Sequence, residues 1–143
     1  MWANNETGVL FPVERIAEIC RSQGVLYRCN AVQPAGKMGI DVRKVPADYL
    51  LVTGHRFHTP KGIGALYVRR KSPFTPYIYG GHQEQNRRGG TDGVPLIVGV
   101  GEAAEVARRY LPEYEKKVRP LRDKLGEGVL RSTRNSALSG HKG

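Results

Sequence analysis

The sequence predicts an α/β fold, an open sheet with helices on its faces. Three observations carry that expectation. An amphipathic helical stretch, Pro12–Gln23, is closed by Gly24 and followed directly by the apolar run Val25–Tyr27, with polar residues after it. Two further short β-prone runs, Tyr49–Val52 and Ala65–Val68, flank a polar, glycine-containing loop from Thr53 to Gly64. Long amphipathic stretches then occupy the C-terminal part of the chain. Helix, glycine, strand and polar loop in that order is the rhythm of an α/β sheet. In such sheets the loops after the strands hold ligands.

Taken in order, Met1–Ala3 is too short to form an element by itself. Asn4-Asn5-Glu6-Thr7-Gly8 is a polar turn with an Asx-type signal. Pro12 sits near the first helical position, where its missing N–H costs nothing. Val13, Ile16, Ala17, Ile19 and Cys20 then share the apolar face, which predicts a core position for Cys20. Val25–Tyr27 is expected to be a strand that leads into Arg28–Gln33, and Ala47–Val52 is the next buried strand. Ala65–Val68 follows the loop and ends in Arg69-Arg70-Lys71. Pro73–Tyr79 is expected to be irregular. Gly80–Gly93 is a long glycine-rich loop whose Arg87-Arg88 pair and Thr91 suit either an anion cradle or a flexible surface loop. Val94–Leu111 is predicted as a helix that Pro112 breaks. A further helix, Glu113–Leu130, carries Tyr114, Val118, Leu121, Leu125 and Val129 at spacings of three and four. A polar tail, Arg131–Gly143, ends the chain.

Composition narrows the function. The 143 residues suit one domain, and 39% hydrophobic with 25% charged residues is globular rather than disordered. No apolar run approaches the roughly 20 residues of a membrane span. MWANNETG lacks the basic and apolar regions of a signal peptide, and two cysteines make no disulfide framework, so a cytoplasmic protein is expected. The net charge of +10 is spread over Arg69–Lys71, Arg87-Arg88, Arg108-Arg109, Lys116-Lys117 and the tail, without interleaved aromatics. That pattern favours a solvated basic surface, or part of a larger and better balanced chain, over a nucleic-acid partner.

No metal site is expected, because His55 and His58 stand three apart in a loop and the cysteines lie far from the histidines in sequence. Neither a GxSxG nucleophile nor a Walker loop is present, and Gly62-Ile63-Gly64 lacks the third glycine and following helix of a dinucleotide site. What remains is a polar set at strand ends: Asn5, Asn30, Gln33, Thr53, His55 and Arg56. Amides and hydroxyls converging there suit a flat polar ligand with a phosphate; strand-end capping is the alternative.

Several spaced blocks also resemble those of the pyridoxal-phosphate-dependent cysteine desulfurases of the NifS and IscS type, and are most similar to the NifS kind. They are Asn4–Gly8 (NNETG), Arg28–Lys37 (RCNAVQPAGK), Thr53–Arg70 (TGHRFHTPKGIGALYVRR), Gly80–Thr91 (GGHQEQNRRGGT) and Arg122–Leu125 (RDKL). The resemblance implies the type I aminotransferase fold, a mixed sheet flanked by helices, with residues 1–143 as part of its large domain. By the same resemblance the upstream part and the C-terminal small domain are absent.

It also implies roles for individual residues. Asn5 and Gln33 would lie beside the pyridoxal ring, Asn30 at its nitrogen, and Thr53 and His55 at its phosphate. Thr91 would reach the phosphate of the partner subunit in a homodimer. Three positions depart from the family pattern. Arg56 stands where the family has the aldimine lysine, Asn30 where it has an aspartate, and Arg28 where it usually has a histidine. A guanidinium is never a free amine in a protein, and an amide carries no charge to pair with the ring nitrogen. Neither Cys20 nor Cys29 matches the nucleophilic cysteine that accepts sulfur from L-cysteine for iron–sulfur cluster assembly. The expectation is therefore a truncated or degenerate desulfurase-like chain, inactive alone. The alternative is a non-catalytic module that pairs with a full-length desulfurase or an acidic partner.

Overall fold

The computed structural model describes residues 1–140; the end of the polar tail, 141–143, lies outside the described residues. The elements in order are α1 (Val13–Ser22), β1 (Arg28–Asn30), β2 (Tyr49–Thr53), a 3-10 turn (Gly54–Arg56), β3 (Gly64–Val68), a single turn α2 (Gln83–Asn86) and α3 (Val94–Ser132). The sheet is mixed, as expected, in the order β1-β2-β3. β1 and β2 run parallel, with Asn30 opposite Leu51, while β2 and β3 run antiparallel, with Thr53 opposite Gly64. The N-terminal segment borders β1, because the Trp2 N–H donates to the Asn30 carbonyl at 2.8 Å.

The core sits between α1, the N-terminal segment and β1-β2. Trp2, Val13, Cys29, Ala31, Val45, Ala47 and Leu50 form one buried cluster. Val13 and Ala17 are the buried residues of α1, four apart on one helical face. Cys20, expected in the core, is only half-buried. Cys29 is fully buried, and burial raises its thiol above the ordinary range.

Two elements differ from the sequence expectation. The strand expected at Val25–Tyr27 lies three residues later. Val25 and Leu26 are exposed, the Tyr27 amide is held by the Asp48 carboxylate at 2.8 Å, and the ladder with β2 begins at Arg28. Pro112 was expected to end a helix, yet α3 runs continuously for 39 residues with both Pro112 and Pro120 inside it. Each proline removes one intrahelical donor without preventing the helical path. No residue of α3 is buried. Pro73–Tyr79 is irregular, as expected, and α2 within the glycine-rich loop is left-handed at Glu84, Gln85 and Asn86.

Candidate functional site

The parallel pairing of β1 and β2 sends both strands out of the same end of the sheet. Asn30 closes β1 and Thr53 closes β2. The Ala31 N–H donates to the Leu51 carbonyl at 2.9 Å, which extends the pairing just past β1. The Trp2–Asn30 hydrogen bond draws the N-terminal segment to this end as well. Two residues later its polar turn is held by the Asn4 carboxamide, whose oxygen accepts from the Glu6 and Thr7 amides at 2.9 and 3.0 Å. Asn5 is exposed within that turn.

Thr53 and His55 form a local pair. The Thr53 Oγ1 lies 3.1 Å from His55 Nδ1 and donates to the Ile63 carbonyl at 3.3 Å. The second bond ties the start of the loop to its end, beside the Thr53–Gly64 register position. Gly54 is buried, and a Cβ there would overlap the Thr59 hydroxyl. The 3-10 turn therefore closes tightly and leaves His55 and Arg56 exposed at its surface. The Asn30 Oδ1 accepts from the Val32 N–H at 3.0 Å. Its carboxamide is thus oriented by the backbone, with the NH2 group as its remaining donor.

A contact that sequence reasoning missed joins the two strand-end segments. Lys37 Nζ donates to the Gln33 carbonyl at 3.2 Å and to the Arg56 carbonyl at 3.4 Å. Burial, followed by the nearby Arg56 charge, lowers the Lys37 pKa below the ordinary lysine value. Gly36 permits the same approach. Its φ is +75°, and a Cβ there would come within 2.5 Å of the Phe57 Cβ. The only signal for this in the sequence was the Gly36-Lys37 pair itself.

Asn30 and Thr53 thus end neighbouring parallel strands, Gln33, His55 and Arg56 follow in the segments after them, and Asn5 lies in the turn of the N-terminal segment that borders β1. Thr91 is exposed between α2 and α3 and makes no hydrogen bond to the Thr53–Arg56 turn among the described residues. No group of three or more His, Cys, Asp or Glu side chains able to hold a metal occurs among the described residues. No helix there is long and apolar enough to cross a membrane.

Comparison with known proteins agrees with this architecture. Residues 1–139 match the family model described as aminotransferase class-V. The chain is 49% identical over 140 residues to a cysteine desulfurase of Gluconacetobacter diazotrophicus, covering 98% of this chain and 35% of that protein. It is 43% identical over 140 residues to the cysteine desulfurase NifS of Azotobacter vinelandii, with the same two coverages. Among solved structures, a NifS-like protein superposes with a TM-score of 0.87 at 41% identity, over 92% of this chain and 36% of that one. DndA from Streptomyces lividans superposes with a TM-score of 0.87 at 34% identity, over 98% of this chain and 40% of that one. The chain therefore spans about a third of the length of these curated relatives. With the class-V model matched over residues 1–139 and desulfurases of the NifS kind as its relatives, the chain belongs to the aminotransferase class-V family.

Proposed function

We propose that this chain carries the cofactor-side face of a cysteine desulfurase-like domain, holds pyridoxal phosphate without covalent attachment at position 56, and does not turn over L-cysteine by itself. The observation that carries this reading is the end of β2, where the Thr53–His55 pair is followed by a guanidinium instead of an amine. A hydroxyl and an imidazole 3.1 Å apart suit a phosphate ester. The free NH2 group of Asn30 suits a ring-edge acceptor, and Asn5 and Gln33 add neutral amides around it. These residues fit the phosphate and the rim of the ring. They do not fit covalent capture, because the Arg56 side chain ends in a guanidinium, which offers no free amine to the aldehyde.

When bound, the group supplies an electron sink for bonds at the substrate α-carbon. Asn30 contributes a hydrogen bond to that sink but no compensating negative charge. Lys37 fixes the backbone of Arg56 relative to Gln33 and so holds the two sides of the face in register.

The test mixes the chain with pyridoxal phosphate, reduces with borohydride and maps the product by mass, alongside an assay for sulfide released from L-cysteine. The expected result is saturable, phosphate-competed binding with no reducible attachment in the Thr53–Gly64 loop and no sulfide. A stable adduct on Lys61, or sulfide release, overturns the reading.

A second reading is favoured by the exposure of Thr91 and its glycine-rich loop. In it the chain pairs with a second copy or with a full-length desulfurase and offers Thr91 across the interface. Co-elution with a purified desulfurase supports this reading, and loss of co-elution in Thr91→Ala locates the contact.

A further inference from the structure

The end of the sheet opposite Asn30 and Thr53 carries a donor that nothing else in the fold uses. β3 runs antiparallel to β2, so Arg69, the residue after β3, returns beside Asp48, the residue before β2. The Arg69 N–H donates to the Asp48 carbonyl at 2.8 Å, which carries the pairing one step further. The side chain turns back onto the same segment, with Nε donating to the Ala47 carbonyl at 3.0 Å. Its Nη2 is buried and has no hydrogen-bond partner. A buried donor of a cationic group has lost its water without gaining an acceptor, and folded proteins rarely leave such a group unsatisfied.

The neighbouring acid does not supply the acceptor. Asp48 Oδ2 accepts from the Tyr27 N–H at 2.8 Å, and its Oδ1 accepts from the Ser72 hydroxyl at 3.1 Å. Neither Arg69 nor Arg21 has an ion pair among the described residues. Both arginines line a cleft of about 240 Å³, whose apolar side is Val25, Leu26 and Pro46 and whose one acidic group is Asp48. The end of α1 borders this cleft, yet its last carbonyls are engaged: Cys20 accepts from Gln23 and Val25, and Arg21 from Gly24. They oppose an anion less than bare helix-end carbonyls would. One wall is α1 with its closing turn, and the other is the start of β2 with the end of β3. The orphaned donor therefore lies between elements of this chain and not on an outer face.

Guanidinium N–H groups match carboxylate oxygens in geometry as well as in charge. Val25, Leu26 and Pro46 offer an apolar surface to the rest of such a molecule. The cleft is smaller than the roughly 300–1,000 Å³ of pockets for drug-sized ligands, which suits an acid of a few carbons.

We propose that the Arg21–Arg69 cleft binds a short aliphatic carboxylic acid, with its carboxylate on the free Arg69 Nη2 and its chain against Val25, Leu26 and Pro46. Binding is non-covalent. It occurs at the opposite end of the sheet from the candidate cofactor face and stands whether or not pyridoxal phosphate is held.

The experiment titrates the full, isotope-labelled chain with butyrate and follows its nitrogen–proton spectrum. The neutral isostere butyramide, and sulfate at matched ionic strength, are the comparisons. Butyrate is expected to shift the Arg69 Nε–H signal and the Gly24 and Leu26 amides saturably, with affinity at least about tenfold above that of butyramide or sulfate. Arg69→Gln removes the free donor and should abolish these shifts, but it also removes the Ala47 contact and can disturb the fold. Arg21→Gln, at an exposed position of α1, is therefore measured beside it and should weaken butyrate about threefold with circular dichroism unchanged. Equal affinity for butyrate and butyramide overturns the proposal in favour of a merely apolar crevice. Equal affinity for sulfate overturns it in favour of charge alone. Unchanged butyrate affinity in Arg21→Gln overturns the assignment of the cleft. Absence of saturable shifts up to about 50 mM butyrate overturns it outright and leaves water as the acceptor for Arg69 Nη2.

Discussion

At the residue scale, position 56 decides what the strand-end face can do. Arg56 occupies a tight turn whose backbone is held by Lys37, so a lysine placed there meets the same frame. Arg56→Lys should therefore gain a borohydride-reducible attachment to pyridoxal phosphate, mapped to position 56 by peptide mass, while the parent chain shows none. Failure of the variant to gain it would show that the surrounding residues do not hold the group. A second prediction concerns Tyr27, whose pKa is pushed up to about 12, first by burial and then by the neighbouring Cys29. An unfolded chain releases this proton near the ordinary tyrosine value of 10.0, whereas the folded chain retains it to about 12. The folded state binds more protons in that window, so stability falls as pH rises from 10.0 to about 12. Urea midpoints at about pH 9 and pH 11 should show the drop, and Tyr27→Phe should reduce it.

At the element scale, α1, β2 and β3 were legible in the sequence because periodicity and punctuation agreed. Pro12 and Gly24 bracket α1, and apolar runs bounded by polar or glycine residues mark the two strands. β1 was misplaced because Val25 and Leu26 carry the hydrophobic signal while the ladder uses Arg28-Cys29-Asn30. Its only buried residue is Cys29, too small and too isolated to give a periodic signal. The placement of Asn30 and Thr53 at neighbouring strand ends was readable because parallel strands share an exit, but the Lys37 clamp was not. That clamp depends on an 18-residue excursion between β1 and β2 that no local pattern specifies. In α3, Pro112 was read as a breaker, yet the helix passes through two prolines. Helical continuity in this exposed rod then rests on its remaining hydrogen bonds and its on-helix ion pairs, each pair contributing only a few tenths of a kcal/mol. Pro120→Ala restores one donor and removes the ring clash, a local gain of up to about 3 kcal/mol. Far-UV circular dichroism should deepen and the melting midpoint of α3 should rise; an unchanged signal would mean that the helix is already broken there in solution.

At the scale of the whole molecule, a small buried cluster supports a three-stranded sheet, and the long helix extends beyond it without a buried residue. The chain spans about a third of its curated relatives, and that proportion suits a core this small. The net charge of +10 keeps copies apart while the exposed Leu121 and Leu125 of α3 attract them. Raising salt shortens the screening length from roughly 10 Å at 0.1 M to 3 Å at 1 M, which removes the repulsion and leaves the apolar contact. Light scattering by the isolated chain should therefore rise with sodium chloride, and Leu121→Asp with Leu125→Asp should suppress that rise. A salt-independent monomer would contradict this balance.

Trp2 is the chain's single tryptophan, buried in the core and hydrogen-bonded through its backbone to the last residue of β1. Its indole is therefore a built-in optical reporter, positioned by the strand whose end the candidate site occupies. A chromophore that absorbs near the indole emission and settles at Asn30 and Thr53 would drain the tryptophan's excited state by resonance energy transfer. Occupancy of the strand ends could then be followed by fading of the native fluorescence, with no label added.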